Sequence, residues 1–274
     1  MLYFSKSFFR ISLLLILITT ILLLCVVYVQ YFGSGLNIFS GLFLSSLVPV
    51  KTKSRLTKKE REEFVIPENL REILVGLFLG DLHAQKKTPK SNAYLKFEQG
   101  FIHKDYLDFL YELFQHYCSV APKINNRTPD KRTGNIYTRV LFHTYCLPCF
   151  TQFHNIFYLN KKKIVPSNIA ELLTPLGLAH WICDDGGWSG NSTRIHANSY
   201  TLEEVNLLVQ VLNDKFNLKC TILKSGTGYI IRISTKSMPV LQELLKDIMP
   251  PMMRHKVYEK SSSTFSSNPE NSCL

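Results

Sequence analysis

The sequence predicts a mixed α+β fold of two pseudo-symmetric halves, each ordered αββαββα with antiparallel sheets, and preceded by an apolar N-terminal segment. Three observations point there. Between about residues 64 and 258 the same order of helical and strand-like stretches occurs twice. Short turns, not long crossovers, join the strands within each pair, which makes the sheets antiparallel. The strands alternate apolar and polar side chains, as sheets covered on one face do.

Ahead of the duplicated region, residues 1–50 hold only Lys6 and Arg10 as charges, and nothing from Ile11 to Val50 is charged. Within them ISLLLILITTILLLCVVYV (Ile11–Val29) has about the length that crosses a bilayer core as a helix. It is longer than the apolar region of a signal peptide, and no small-residue cleavage site follows it. KTKSRLTKKEREE (51–63) reads as a charged linker and SSSTFSSNPENS within 261–274 as a disordered tail. The net charge of +11 falls almost entirely outside the apolar segment and suits a polyanionic partner. Seven irregularly spaced cysteines in a chain of this size read as reduced thiols. Cys146 and Cys149 form a CxxC near His143 and His154. A zinc site needs a second such pair, so the spacing reads as a helix start with Pro148 in the first turn.

The first half (64–160) opens with a helix in PENLREILVGLFLGDLHA, entered through Pro67 with acids in its first turn. A strand follows in AYLKFEQ (93–99), then an amphipathic helix in HKDYLDFLYELFQHY (103–117) with Tyr106, Leu107, Leu110 and Leu113/Phe114 at helical spacing. A hairpin turning at TPDKRTGN has IYTRVLFHTY (136–145) as its alternating arm, and a helix around PCFTQFHNIFYL closes the half. The second half (161–260) repeats this with one helix in SNIAELLTPLGLAHWICDD and a strand in TRIHANS. A helix in TLEEVNLLVQVLNDKF comes next, capped by Thr201 with Glu203 and Glu204 in its first turn. Strands LKCTILK and GYIIRIST flank the turn SGTG, and helix MPVLQELLKDIM ends it.

The two leading helices match position for position: LVGLFLGDL (74–82) against LAHWICDDG (178–186), which sets Asp81 opposite Asp185. Gly76 and Gly80 on one helix, and Ala179 and Cys183 on the other, offer small-residue faces that let two backbones approach. Helices packed on those faces would bring both terminal carboxylates together near a pseudo-twofold axis. Paired hard-oxygen ligands suit Mg²⁺, whose other positions water and phosphate fill. Solvated helix ends would explain one acidic terminus, but not two matched copies.

These motifs resemble the two signatures of the LAGLIDADG homing endonucleases, in the single-chain, two-motif form of organelle introns. KKKIVPSNIAELLTPLGLAHWICDDGG, SYTLEEVNLLVQVLNDKFNLKC and MPPMMRHKV are similar to stretches of the omega-type members, so the resemblance covers about residues 64–258. It implies that Asp81 and Asp185 each bind a divalent metal and position water at one strand's scissile phosphate. It also implies a basic residue at each site, here Lys163 and Lys256, polarising the water network and offsetting charge on the phosphate. The sequence departs from the signatures at Leu82, where the first usually ends in glycine, and at His180, which replaces the second's central glycine. There is no Ser/His-type nucleophile signature.

Strand parity sets Arg194, His196 and Asn198 on one face; Tyr137, Arg139 and His143 on another; and likewise Arg232 with Ser234, and Lys219 with Thr221. With Lys96 in AYLKFEQ, these are the side chains expected to read DNA from sheets lying in the major groove. Lys86, Lys87, Lys90, Lys131 and Arg132 are expected in loops, against phosphate.

Together these features predict a monomeric, Mg²⁺-dependent endonuclease that cuts both strands of a long asymmetric DNA target and promotes intron homing. A maturase that binds intron RNA and assists splicing is the alternative. The expected location is the mitochondrion, or else the chloroplast. Residues 1–50 are expected to be an upstream-exon leader removed near the charged linker, or an anchor giving membrane contact through residues 11–29. A membrane protein with a soluble metal-binding domain would account for the leader but not for the duplication.

Overall fold

The computed structural model describes residues 55–259, which belong to one compact unit. The expected span at 11–29, its leader and the tail at 261–274 lie outside the described residues. Within them no helix is long and apolar enough to cross a membrane.

The stretch read as a charged linker carries a helix, α1 (Lys58–Glu62). Thr57 and Glu60 form a reciprocal capping box: Thr57 N donates to Glu60 Oε2 at 2.8 Å and Glu60 N to Thr57 Oγ1 at 3.3 Å. Leu56 and Phe64 on either side pack onto the core. Chain order then runs α2 (Glu68–Leu79), β1 (His83–Lys86), β2 (Ala93–Gly100), α3 (Lys104–Phe114), β3 (Lys123–Asn126), β4 (Thr138–His143) and α4 (Pro148–Phe157). A ribbon, β5 (Tyr158–Leu159) with β6 (Lys162–Lys163), and a short α5 (Ile169–Leu172) lead into the second half. That half is α6 (Pro175–Asp185), β7 (Gly186–Ser189), β8 (Ser192–His196), α7 (Leu202–Phe216), β9 (Cys220–Ser225), β10 (Gly228–Ile233) and α8 (Met238–Leu245). A 3₁₀ turn at Pro251–Lys256 follows.

The sheets repeat one topology, β1-β2-β4-β3 and β7-β8-β10-β9, with every ladder antiparallel. The predicted α+β duplication is therefore present. The single helix expected over 167–185 is instead broken into α5 and α6. Pro175 has no N–H to continue a ladder, and Thr174 caps the new start by accepting from Gly177 N at 3.2 Å.

One contiguous apolar cluster runs through both halves. Every residue from Ile73 to Leu79 and from Gly177 to Cys183 is buried, the mark of helices surrounded on all sides. Phe78 stacks on Phe157 at 4.9 Å between ring centroids, and each such ring contributes about 1.5–3 kcal/mol through burial. α2 and α6 lie side by side and parallel, Gly76 on the backbone of Gly177 and Gly80 on the side chain of Asp184. A Cβ at Gly76 would overlap the Gly177 carbonyl. The partners on α6 are thus Gly177 and Asp184, where the sequence had pointed to Ala179 and Cys183.

Candidate active site at the paired helix ends

Side-by-side packing brings the negative ends of two helix dipoles together, along with the last carbonyls of each, which no helical N–H can reach. Two lysines fill that role. Lys163 Nζ donates to the Gly80 carbonyl at 2.5 Å. Lys256 Nζ donates to the Asp184 carbonyl at 3.0 Å, and also to that of Cys183. Gly80 and Asp184 are corresponding positions in the aligned motifs, so the lysines are related by the pseudo-symmetry. Each is delivered by its own device. The β5–β6 ribbon turns through Asn160 and Lys161, both in the left-handed region at φ 49° and 66°, and carries Lys163 inward. The 3₁₀ turn carries Lys256, which is buried.

Asp81 follows the cap residue Gly80 and is exposed. The helix end is closed by Leu82 N donating to Leu77 O at 3.0 Å, and the buried Leu82 side chain anchors the turn where the family signature has glycine. Asp185 ends α6 and is half-buried. Between them lies a third carboxylate. Asp184 Oδ2 accepts from Asp81 N at 3.0 Å, while its Oδ1 is sealed from solvent with no partner among the described residues. Gln99 Nε2 donates to Asp81 Oδ2 at 3.2 Å, and Tyr200 OH to the Leu79 carbonyl at 2.8 Å. His180, at the other departure from the signature, is buried with Nδ1 3.3 Å from Tyr106 OH, and burial pushes its pKa down to about 3.

Crowded carboxylates make the site electrostatically unfavourable without a counter-cation. Burial, then the charges of Asp81 and Asp185, pushes the Asp184 carboxyl well above its usual range. Asp185 is pushed up to about 7 by burial and then by Asp81, against the pull of Lys163 and Lys256. Burial brings Lys163 down to about 8, although Asp184, Asp185 and Asp81 hold its proton. A divalent cation would reverse the acid shifts. Hard oxygens and the orphaned Asp184 Oδ1 fit such an ion. No group of three His, Cys, Asp or Glu side chains forms a cage among the described residues.

On the sheets' outer faces, Lys96 stands opposite His143 with Arg139 further along β4, and Arg194 stands opposite Arg232 with Thr221 beyond. His196, Asn198 and Lys219 are exposed at the strand ends. Lys87 and Lys90 are exposed in the β1–β2 turn, Lys131 and Arg132 in the β3–β4 loop. Lys86 differs from expectation. It lies in β1, not a loop, opposite buried Ala93, and its Nζ donates to Asn155 Oδ1 of α4 at 3.2 Å. That puts it on the helix-covered face, away from the outer surface. Cys146 and Cys149 are free thiols at the start of α4, where Pro148 occupies the first turn.

Sequence reasoning passed over Asp184, Gln99, Tyr200 and Glu98. Glu98 left a signal, as the lone acid of AYLKFEQ on the outward face it shares with Lys96, and Asp184 left one as the neighbour of Asp185.

Two parallel helices with terminal carboxylates, flanked by two sheets of one topology, define a duplicated nuclease scaffold. The sequence profile of the LAGLIDADG DNA endonuclease family matches residues 71–241, and the chain belongs to that family. It is 34% identical over 197 residues to the cytochrome b mRNA maturase bI2 of Debaryomyces hansenii, covering 70% of this chain and 74% of that one. It is 40% identical over 124 residues to the intron-encoded endonuclease ai4 of Dictyostelium discoideum, covering 44% and 78%. Among solved structures, the homing endonuclease I-WcaI bound to its DNA recognition sequence aligns with a TM-score of 0.69 and 27% identity, over 79% of this chain and 97% of that one.

Proposed function

We propose that this chain is a site-specific endonuclease that hydrolyses one phosphodiester in each strand of a long, asymmetric double-stranded DNA target, acting as a monomer with Mg²⁺ and promoting homing of its intron. The observation that carries the reading is the pairing, at one place, of two helix ends that each present a carboxylate and a lysine: Asp81 with Lys163, Asp185 with Lys256. The bound metal would supply Lewis acidity and charge neutralisation at the scissile phosphates. Asp81 and Asp185 would hold it. Gln99 fixes the Asp81 carboxylate, and Asp184 fixes the backbone beside it. Lys163, with a pKa near 8, can share a proton with water near neutral pH. The outer sheet residues Lys96, Arg139, His143, Arg194, His196, Asn198, Lys219 and Arg232 would read base edges. Lys87, Lys90, Lys131 and Arg132 would contact phosphate. The DNA-bound state of I-WcaI supports the choice of partner.

A second reading has a specific observation behind it: the Debaryomyces hansenii relative is named a maturase, so binding of intron RNA, alone or beside cleavage, belongs to the same test. The cytochrome b and intron names of the relatives support a mitochondrial setting.

The experiment incubates the purified chain with Mg²⁺ and a duplex spanning the uninterrupted junction of its flanking exons, beside Asp81→Asn and Asp185→Asn. Double-strand cutting by the parent, and a loss of at least about 100-fold in either variant, is expected. Metal-independent binding to intron RNA with no cutting would move the assignment to a maturase.

A further inference from the structure

On the outer face of the first sheet, one carboxylate holds three cations. Glu98 Oε1 accepts from Arg127 Nη2 at 2.6 Å and from Arg139 Nη1 at 2.9 Å, and Lys96 Nζ lies 2.6 Å from Oε2. The Glu98 side chain is only 15% exposed, and these partners hold its pKa down at about 2 despite burial. It stands one residue from Gln99, which bonds Asp81, so the cluster sits at the end of the sheet nearest the candidate site.

The second half shows what this position is without the acid. His83 pairs with Lys96 as Gly187 pairs with Arg194, so with Asp81 set against Asp185, Lys96 corresponds to Arg194 and Glu98 to His196. There Arg194 faces Arg232 directly across the ladder, and no carboxylate pairs with either among the described residues. Like charges directly opposite are unfavourable, and a polyanion relieves them. The two reading surfaces thus differ in kind: one presents unpaired arginines, the other cations already committed to a carboxylate.

Building on the endonuclease reading, we propose that Glu98 is a specificity-determining residue that keeps Lys96, Arg127 and Arg139 from engaging phosphates and holds them in place for base edges. A carboxylate in this place repels any backbone phosphate that approaches, which penalises binding without sequence match. The arginines it steadies can donate to guanine. A clamp serving stability alone would give the same contacts, so binding must separate the two.

The full-length chain, without metal, is titrated across a range of KCl concentrations with two probes: the uninterrupted exon-junction duplex and a scrambled duplex of equal length. In Glu98→Gln the freed cations reach phosphate. Affinity for the scrambled duplex rises, discrimination between the duplexes falls about tenfold, and the slope of log affinity against log salt steepens by about 1 to 2, near 0.9 per added phosphate contact. Unchanged discrimination and slope would overturn the proposal and leave Glu98 a structural clamp. Arg127→Gln gives an independent check at a half-exposed side chain. Its salt slope should match the parent's because Glu98 already holds Arg127 off phosphate, and a slope shallower by about 1 would overturn the proposal too. A parent chain that binds both duplexes equally would sink the endonuclease reading, and this inference with it.

Discussion

At the first helix end Gly80 leaves room and Asp81 stands in solvent; at the second, Asp184 fills that room and Asp185 is drawn half inside. The sheets differ in the same spirit, with cations gathered on Glu98 in one half and two arginines facing each other in the other. The duplicated scaffold therefore sets topology and the lysine–carbonyl contacts alike in both halves, while the residues nearest the axis do not match. A Cβ on Gly80 would lie 2.5 Å from that of Asp184, so the close approach requires one side to be small and the other to be filled.

The largest effect should come from crowding the seam between α2 and α6. Gly76→Val would drive a branched side chain into the Gly177 backbone, costing more than about 4 kcal/mol or abolishing soluble expression. Gly187→Ala meets nothing within 4 Å and should stay within about 0.5 kcal/mol of the parent by urea unfolding.

Next is the separation of the two strands' chemistry. Lys163→Met and Lys256→Met should each slow cutting of one strand by about 10²-fold, so that supercoiled plasmid bearing the target accumulates as nicked circles. Equal slowing of both strands by either change would mean the halves do not act on separate phosphates.

Smaller again is an acid-stability difference. Glu98 is lowered from 4.5 to about 2, so its contribution is complete above pH 4.5 and lost as pH falls toward 2. Glu98→Gln should therefore be less stable than the parent by about 2 kcal/mol at pH 6, and the gap should close by pH 2. Asp185 has the opposite sign. Raised from 3.8 to about 7, it makes the metal-free fold lose stability as pH rises between those values. Asp185→Asn should gain about 1–2 kcal/mol at pH 8, and Asp81→Asn less, because Asp81 is exposed and its loss relieves only the repulsion it exerts on Asp184 and Asp185; matching melting temperatures for the two variants would contradict the burial difference.

Much of this was legible in the sequence. The Thr201–Glu204 capping box marks the start of α7, strand parity separates Arg194 and His196 from Ile195, and the aligned motifs single out Asp81 and Asp185. Two misses were legible in principle: Thr57 and Glu60 have capping-box spacing that the surrounding charges obscured, and Pro175 announces the break before α6. The contact Asp184 makes was not legible, because its bond to Asp81 N spans 103 residues and exists only once the helices have packed. Gln99 and Tyr200 reach the site for the same reason, through tertiary placement that no local pattern encodes.

The β5–β6 ribbon bears on how such a chain could be recombined. A boundary at 160/161 falls in its turn, yet Lys163 beyond that turn caps the first helix. A chimera joined at 160 would hand the first half a lysine from a foreign relative, fitted to another carbonyl. Joining after Val165 instead keeps each acid with the lysine it folded beside, so the exchangeable module ends a ribbon later than the sequence repeat.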